Sequence, residues 1–334
     1  MQIRPLAVDD TDELRAFYDV TWRAEMDDGR DWNGHWTFDE VASMLRDQTP
    51  GNRWFPLATY DGPALVGAGL VRVSELDNLD KAYVFPMVDP SARGRGVGGA
   101  LLEAMVDRCR ELGRTVVTSN AAYAGPERED AQQVRFARRH GFHVANTEIA
   151  RHLRLPVDEA LLDEVEAEGA HLREGYSVQT FVDELPDDLL PSYAALVNQL
   201  QVDAPSGEVD YEEGRLTPEG LHQLMESHRR IGQRVFYSVA LREGQVVAQS
   251  DLGVQTSGST AVQWGTFVHR EHRGRRLGAA VKVANLRVLR SDRPDVTRID
   301  TSNAETNSYM VSINERLGFQ VAAVMPSFVR RLEG

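Results

Sequence analysis

Apolar residues recur at helical spacing in two well-separated stretches, and a short apolar strand with a glycine-rich turn precedes each. Val97, Leu101, Leu102, Met105, Val106, Cys109 and Leu112 share one helical face, as do Leu277, Val281, Ala284, Val288 and Leu289. The preceding strands are predicted at 82–88 and 261–268. Behind each helix the pattern predicts another strand (115–119 and 297–302), a second helix ending before Gly-Phe, and a closing strand. Gly113 marks a stop for the first helix. Alternating strand and helix predicts a mixed α/β sheet in each stretch.

The two stretches are copies. Residues 88–99 read VDPSARGRGVGG and residues 268–279 read VHREHRGRRLGA, an offset of 268 − 88 = 180. Thr118-Ser119-Asn120-Ala121 returns as Thr301-Ser302-Asn303-Ala304 at an offset of 183, and Gly141-Phe142 as Gly318-Phe319 at 177. Three blocks in one order at near-constant spacing imply duplication. The length of 334 residues suits two domains. The expected division is 1–155 and 176–334, joined by an acidic helical linker at 156–175.

A strand running into Arg-x-x-Gly-x-Gly and then a helix has a physical use. Glycines let the backbone approach a ligand closely, and the first N–H groups of a helix lack partners and carry the positive end of its dipole. Such a turn holds an anion, and Arg93, Arg95, Arg273, Arg275 and Arg276 add positive charge for phosphates. A P-loop is excluded because no GK[ST] follows. A dinucleotide loop is disfavoured because Arg276 breaks the GxGxxG phase.

The pattern Val-x-Pro-x-x-Arg-Gly-x-Gly-x-Gly after a strand, with a later helix closing on Gly-Phe, resembles the GNAT superfamily of N-acetyltransferases. The duplicated form is similar to the tandem-domain actinobacterial members, mycothiol synthase among them. The resemblance covers both halves. It implies an α/β (α+β) fold of two tandem GNAT-like domains, each a mixed, splayed central sheet flanked by helices, with acetyl-CoA in the splay as cosubstrate. By motif position, Met87 and Val88, with Phe267 and Val268, face the pantetheine arm. Arg93, Gly94, Arg95, Gly96, Val97, Gly98 and Gly99 hold the pyrophosphate, as do Arg273, Gly274, Arg275, Arg276, Leu277, Gly278 and Ala279. Asn303 and Asn307 are further cofactor contacts. The helical asparagine common in the family matches Asn307 in the second copy but Asp130 in the first. The usual acid tyrosine is replaced by Ala137 and Asn314.

Acetyl transfer to an amine needs a neutral amine, a donor for the tetrahedral oxyanion, and a proton for the leaving sulfur. Glu305, just past the second Thr-Ser-Asn-Ala block, is the expected base, and Tyr309 the nearest phenol to the missing acid. Asn307 and Glu305 point to the second half as the catalyst. Asp203 and Glu208, in an acidic stretch at 201–208, are candidates to draw in a cationic acceptor, with an exposed, solvated loop as the commoner explanation.

Composition changes this picture in three ways. A net charge of −14 argues against a nucleic-acid partner and favours a cationic one, such as a small-molecule amine. No apolar run is long enough to span a membrane, and the first residues lack a secretory pattern. A single cysteine, Cys109, suits a reducing cytoplasm. His269 and His272 form an HxxH without a further cluster, so no metal is expected. Ser119 and Ser302 lack a GxSxG setting. Alternatives are a sensory protein that holds CoA with little turnover, and a protein lysine acetyltransferase.

Overall fold

The computed structural model describes residues 1–27, 36–47, 51–125, 128–255 and 258–333. The first half runs β1 (Gln2–Pro5), α1 (Thr11–Glu25), α2 (Phe38–Asp47), β2 (Asn52–Asp61), β3 (Ala64–Ser74), β4 (Lys81–Val88), α3 (Val97–Glu111), β5 (Val116–Asn120), α4 (Gln132–Arg139) and β6 (His143–Arg154). A short helix, α5 (Glu159–Ala167), connects it to the second half. That half runs β7 (Ser177–Val182), α6 (Leu190–Asp203), α7 (Pro218–Arg230), β8 (Gln233–Arg242), β9 (Gln245–Gln255), β10 (Thr260–Val268), α8 (Leu277–Asp292), β11 (Arg298–Ala304), α9 (Ser308–Leu317) and β12 (Gln320–Arg331).

Local chemistry starts and stops these elements. The Asp10 carboxylate accepts from the N–H groups of Asp12 and Glu13 at the head of α1, and Leu14, Phe17 and Val20 form its buried stripe. Thr217 caps α7 and Pro218 occupies its first turn. Beyond α3, Gly113 takes a left-handed φ of 72° and donates to the Arg110 carbonyl.

In each half the central parallel pair separates. β4 and β5 pair only from Lys81↔Val116 to Tyr83↔Thr118, while β4 continues to Val88. β10 and β11 pair only from Thr260↔Arg298 to Val262↔Asp300, while β10 continues to Val268. Each half therefore has a splayed, mixed sheet flanked by helices.

The halves exchange closing strands. The sheet order is β1-β2-β3-β4-β5-β12-β6-β11-β10-β9-β8-β7, one continuous sheet of twelve strands. β12, last in the chain, pairs with β5 from Ser327↔Asn120 to Arg331↔Val116. β6 pairs with β11 from Arg298↔Arg154 to Ala304↔Glu148. The cores follow: Val324, Phe328 and Leu332 pack with Val84, Leu101 and Met105 of the first half, while Leu153 packs with Val283 and Ile299 of the second.

The acidic connector lies against the second half. Leu162 and Val165 of α5 enter the core shared with α8 and α9. Arg287 meets Glu159, Asp163 and Glu166, each at 2.6 Å, and Arg316 meets Glu164 and Glu168.

Candidate active site

The first glycine turn is built to present amides. Asp89 accepts from the Ser91 N–H at 3.0 Å and is paired with Arg23 at 2.7 Å, which fixes the exit from β4. Arg93 turns back, its Nε donating to the Val88 carbonyl at 3.3 Å and its guanidinium paired with Asp27. Gly94 and Gly96 take left-handed φ values of 75° and 81° and have open space where a side chain would stand. The first helical bond of α3 runs from Ala100 N–H to the Gly96 carbonyl, so the amides of Val97, Gly98 and Gly99 precede its ladder. A Cβ on Gly98 would lie 3.4 Å from Val88 and 3.5 Å from Phe136, and one on Gly99 only 2.8 Å from His140. Small residues keep this groove open while α4 approaches.

The groove opens into a cavity of about 2350 Å³. Of the residues expected to hold cofactor, Met87, Val88, Arg93, Gly94, Gly96, Gly98 and Gly99 line it. The Val97 side chain is buried, and Arg95 pairs with Asp61 at 3.2 Å. Ser119–Ala122, Gln132, Gln133, Phe136, Ala137 and His140 complete this end.

The second turn copies the backbone but not the opening. Gly274 keeps φ 81°, and Arg276 sits at φ 57° where the first copy has Gly96. The Arg276 side chain packs on Gly169 of the connector, where an added Cβ would lie 2.7 Å from its Cγ. Arg273 donates to the Val268 carbonyl at 3.2 Å and pairs with Asp203 at 2.5 Å. Arg275 donates to the Glu271 carbonyl at 3.1 Å. Phe267, Val268, Leu277, Gly278 and Ala279 are all buried. None of residues 273–279 lines the cavity, nor do Asn303, Glu305, Asn307 or Tyr309.

Buried polar side chains occupy the corresponding groove. Lys282, 2% exposed, donates to Gln263 Oε1 at 2.8 Å and to Asn314 Oδ1 at 2.9 Å. Asn314 in turn donates to Asn303 Oδ1 at 2.5 Å. By the repeat offsets these four positions match Leu102, Tyr83, Ala137 and Asn120. Leu102, Ala137 and Asn120 line the open cavity. Burial pushes the Lys282 amine down to about 7, because the charged form loses hydration.

The other sequence candidates have structural occupations. Both Glu305 oxygens accept from Arg128, at 2.7 and 3.0 Å, on an exposed surface, and Arg128 holds the carboxyl below its usual range. Tyr309 is 46% exposed. The Asn307 side chain caps α9, accepting from Met310 N–H at 3.2 Å. Asp203 is held by Arg270 and Arg273, which lower its pKa, and so it anchors the second turn. Glu208 pairs with His143 at 2.9 Å, within a segment strapped across the first half by mutual hydrogen bonds between Asn78 and Glu212. Glu271 completes a group with His269 and His272 whose ligand atoms lie within 4.8 Å of one another, a proximity the HxxH spacing alone did not show.

The far end of the cavity comes from residues sequence reasoning passed over. Trp22, Trp36, Trp54 and Phe85 of the first half face it, as do His228 and Trp264 of the second. Glu40 also lines the cavity and is 7% exposed, with its Oε2 accepting from Thr37 N–H at 2.6 Å and its Oε1 from Gln255. Burial raises the Glu40 carboxyl. Thr37 and Glu40 form a capping box at the head of α2, with Glu40 N–H donating to Thr37 Oγ1 at 3.3 Å, and this sets the carboxylate on the cavity.

Residues 57–144 match the Acetyltransferase (GNAT) domain. No curated protein matches the chain. Among solved structures, a tandem GNAT protein from the clavulanic acid biosynthesis pathway, without AcCoA, is 24% identical with a TM-score of 0.79, covering 100% of this chain and 99% of that one. A GCN5-related N-acetyltransferase from Sphaerobacter thermophilus is 17% identical with a TM-score of 0.63, covering 100% and 96%. Two GNAT-like domains in tandem are thus the fold of this chain.

Proposed function

We propose that this acetyl-CoA-dependent acyltransferase loads its cosubstrate in the first half alone and passes the acetyl group to a primary amine of a small, cationic molecule. One observation carries the reading: the cavity begins at the Val88 strand end and the Gly94–Gly99 turn, and it does not reach the matching turn of the second half. The amides of Val97, Gly98 and Gly99 take the pyrophosphate, with the α3 dipole behind them. Past Tyr83, the edge of β4 that faces the splay has no strand partner there, so its amides are placed to receive the oxyanion.

The acid position holds Ala137, so the sulfur departs without a phenol beside it, which a thiolate tolerates better than an alkoxide does. Glu25, Glu40, Asp47 and Glu226 line the cavity and favour an ammonium group on approach. The likeness to mycothiol synthase rests on the duplicated motifs and names no acceptor. A cytoplasmic setting agrees with a lone, buried Cys109 whose thiol burial pushes up to about 12. No helix among the described residues is long and apolar enough to cross a membrane.

The test is thiol release from acetyl-CoA with a panel of primary amines, alongside calorimetric binding of acetyl-CoA. Amine-dependent release with one cofactor bound per chain is expected. Tight binding with no release across the panel would favour a CoA-holding sensory protein instead.

A further inference from the structure

The protein has five tryptophans, and four of them, Trp22, Trp36, Trp54 and Trp264, line a single cavity; the fifth, Trp32, lies outside the described residues. Trp22, Trp36 and Trp264 are 40%, 51% and 44% exposed, and exposed apolar rings gathered on one cavity mark a ligand-binding groove. Trp264 is also held in place. His228 of α7 packs beside its ring, tilted by 41° at 5.1 Å between centroids, and Gly253 of β9 leaves the room it needs, since a Cβ there would lie 2.3 Å from the indole. Burial pushes His228 down to about 4, so at neutral pH it is uncharged and does not repel an ammonium.

The cavity is also larger than one ligand requires. At about 2350 Å³ it exceeds the roughly 300–1,000 Å³ of an ordinary small-molecule site. With acetyl-CoA at the glycine turn, space remains for a sizeable acceptor. Indole walls suit flat, apolar rings and, through their faces, a cation. Glu25, Glu40, Asp47 and Glu226 line the same cavity and favour the ammonium, while the indoles favour the ring that carries it.

We propose that the acceptor is a primary amine borne on a flat, ring-bearing apolar body, and that Trp264 is a specificity-determining residue supplied by the half that has no open cofactor groove. This rests on acetyl transfer in the first half. The second half then serves as one wall of the acceptor site, reached through β9, β10 and α7.

The experiment compares tryptamine, spermidine and glucosamine as acceptors at saturating acetyl-CoA. Tryptamine is expected to have the highest kcat/KM by about tenfold or more, and Trp264→Ala to raise its KM by a similar factor. The KM for acetyl-CoA should stay within about twofold, and Trp264→Phe should recover most of the loss. Gly253→Ala, which displaces the indole, should mimic Trp264→Ala, with thermal melting checking that it folds. Preference for spermidine or glucosamine, no transfer to any of the three, or an unchanged KM in Trp264→Ala overturns the proposal. Calorimetry with acetyl-CoA separates the failures: intact binding with the wrong preference sinks the acceptor class alone, whereas no binding sinks the transfer reading beneath it.

Discussion

The two glycine turns share a backbone path and differ in what stands around it. Both exit a splayed strand, both place a left-handed residue just before the helix, and both have an arginine turned back to a strand carbonyl and a carboxylate. In the first copy, Gly96, Gly98 and Gly99 leave an open groove between α3 and α4. In the second, Arg276 replaces the glycine and packs on the connector, while Lys282, Asn314, Gln263 and Asn303 close the groove with hydrogen bonds. On the proposed reading, such a turn holds phosphate only where its neighbours leave room for the rest of the cofactor.

The largest effect should come from removing what the halves share. Ending the chain at Gly318 deletes β12 and takes Val324, Phe328 and Leu332 from the first core, a loss of roughly 5–9 kcal/mol at the usual burial value for three such side chains. It also bares the edges of β5 and β6. The truncated chain should lose cooperative melting by circular dichroism. A well-folded truncation would show that the first half closes without the exchange.

Next comes the direct comparison of the turns. Gly98→Asp puts a carboxylate against the pyrophosphate and should weaken acetyl-CoA binding by about 100-fold or more in calorimetry. Gly278→Asp, buried beside Ile313 and Val268, should instead lower the melting temperature and leave affinity within about twofold. Equal loss of affinity in both would break the asymmetry.

The buried Lys282 amine gives stability a pH dependence. The Lys282 pKa is lower in the folded chain, about 7, than in the unfolded one, so the unfolded state binds more protons above that pH. Wild-type stability relative to Lys282→Met should therefore rise with pH, by at most about 1.4 kcal/mol per unit, between pH 7 and the ordinary lysine range. Denaturant titrations at pH 7, 8 and 9 would read it, and a flat difference would remove the buried lysine from the account.

The smallest effect is expected at Glu305. Its carboxylate is exposed and held by Arg128, so Glu305→Gln should leave turnover within about twofold in the thiol-release assay. A large drop in kcat would restore the second half as a catalyst.

Much of the first site was legible because its signals are local. Glycine positions, the strand before them and the helical stripe after them are set by residues a few positions apart. The far part of the cavity was not, since Trp36 precedes α2, Trp54 lies on β2, His228 on α7 and Trp264 on β10. The ion pairs of Asp203 and Glu208 were hidden for the same reason: their partners Arg270, Arg273 and His143 lie more than sixty residues away.

From the residue string alone came the duplication, the paired turns and the mixed α/β halves, because periodicity, turn chemistry and repetition are written along the chain; the splay was implied by the resemblance to GNAT transferases. Folding decided the rest. Strand edges carry no label naming their neighbour, so only the packed sheet shows β12 and β6 crossing between halves. Only the packed core shows a lysine and three amide side chains meeting where the first half keeps an open groove, and that closure is what makes two similar turns unequal.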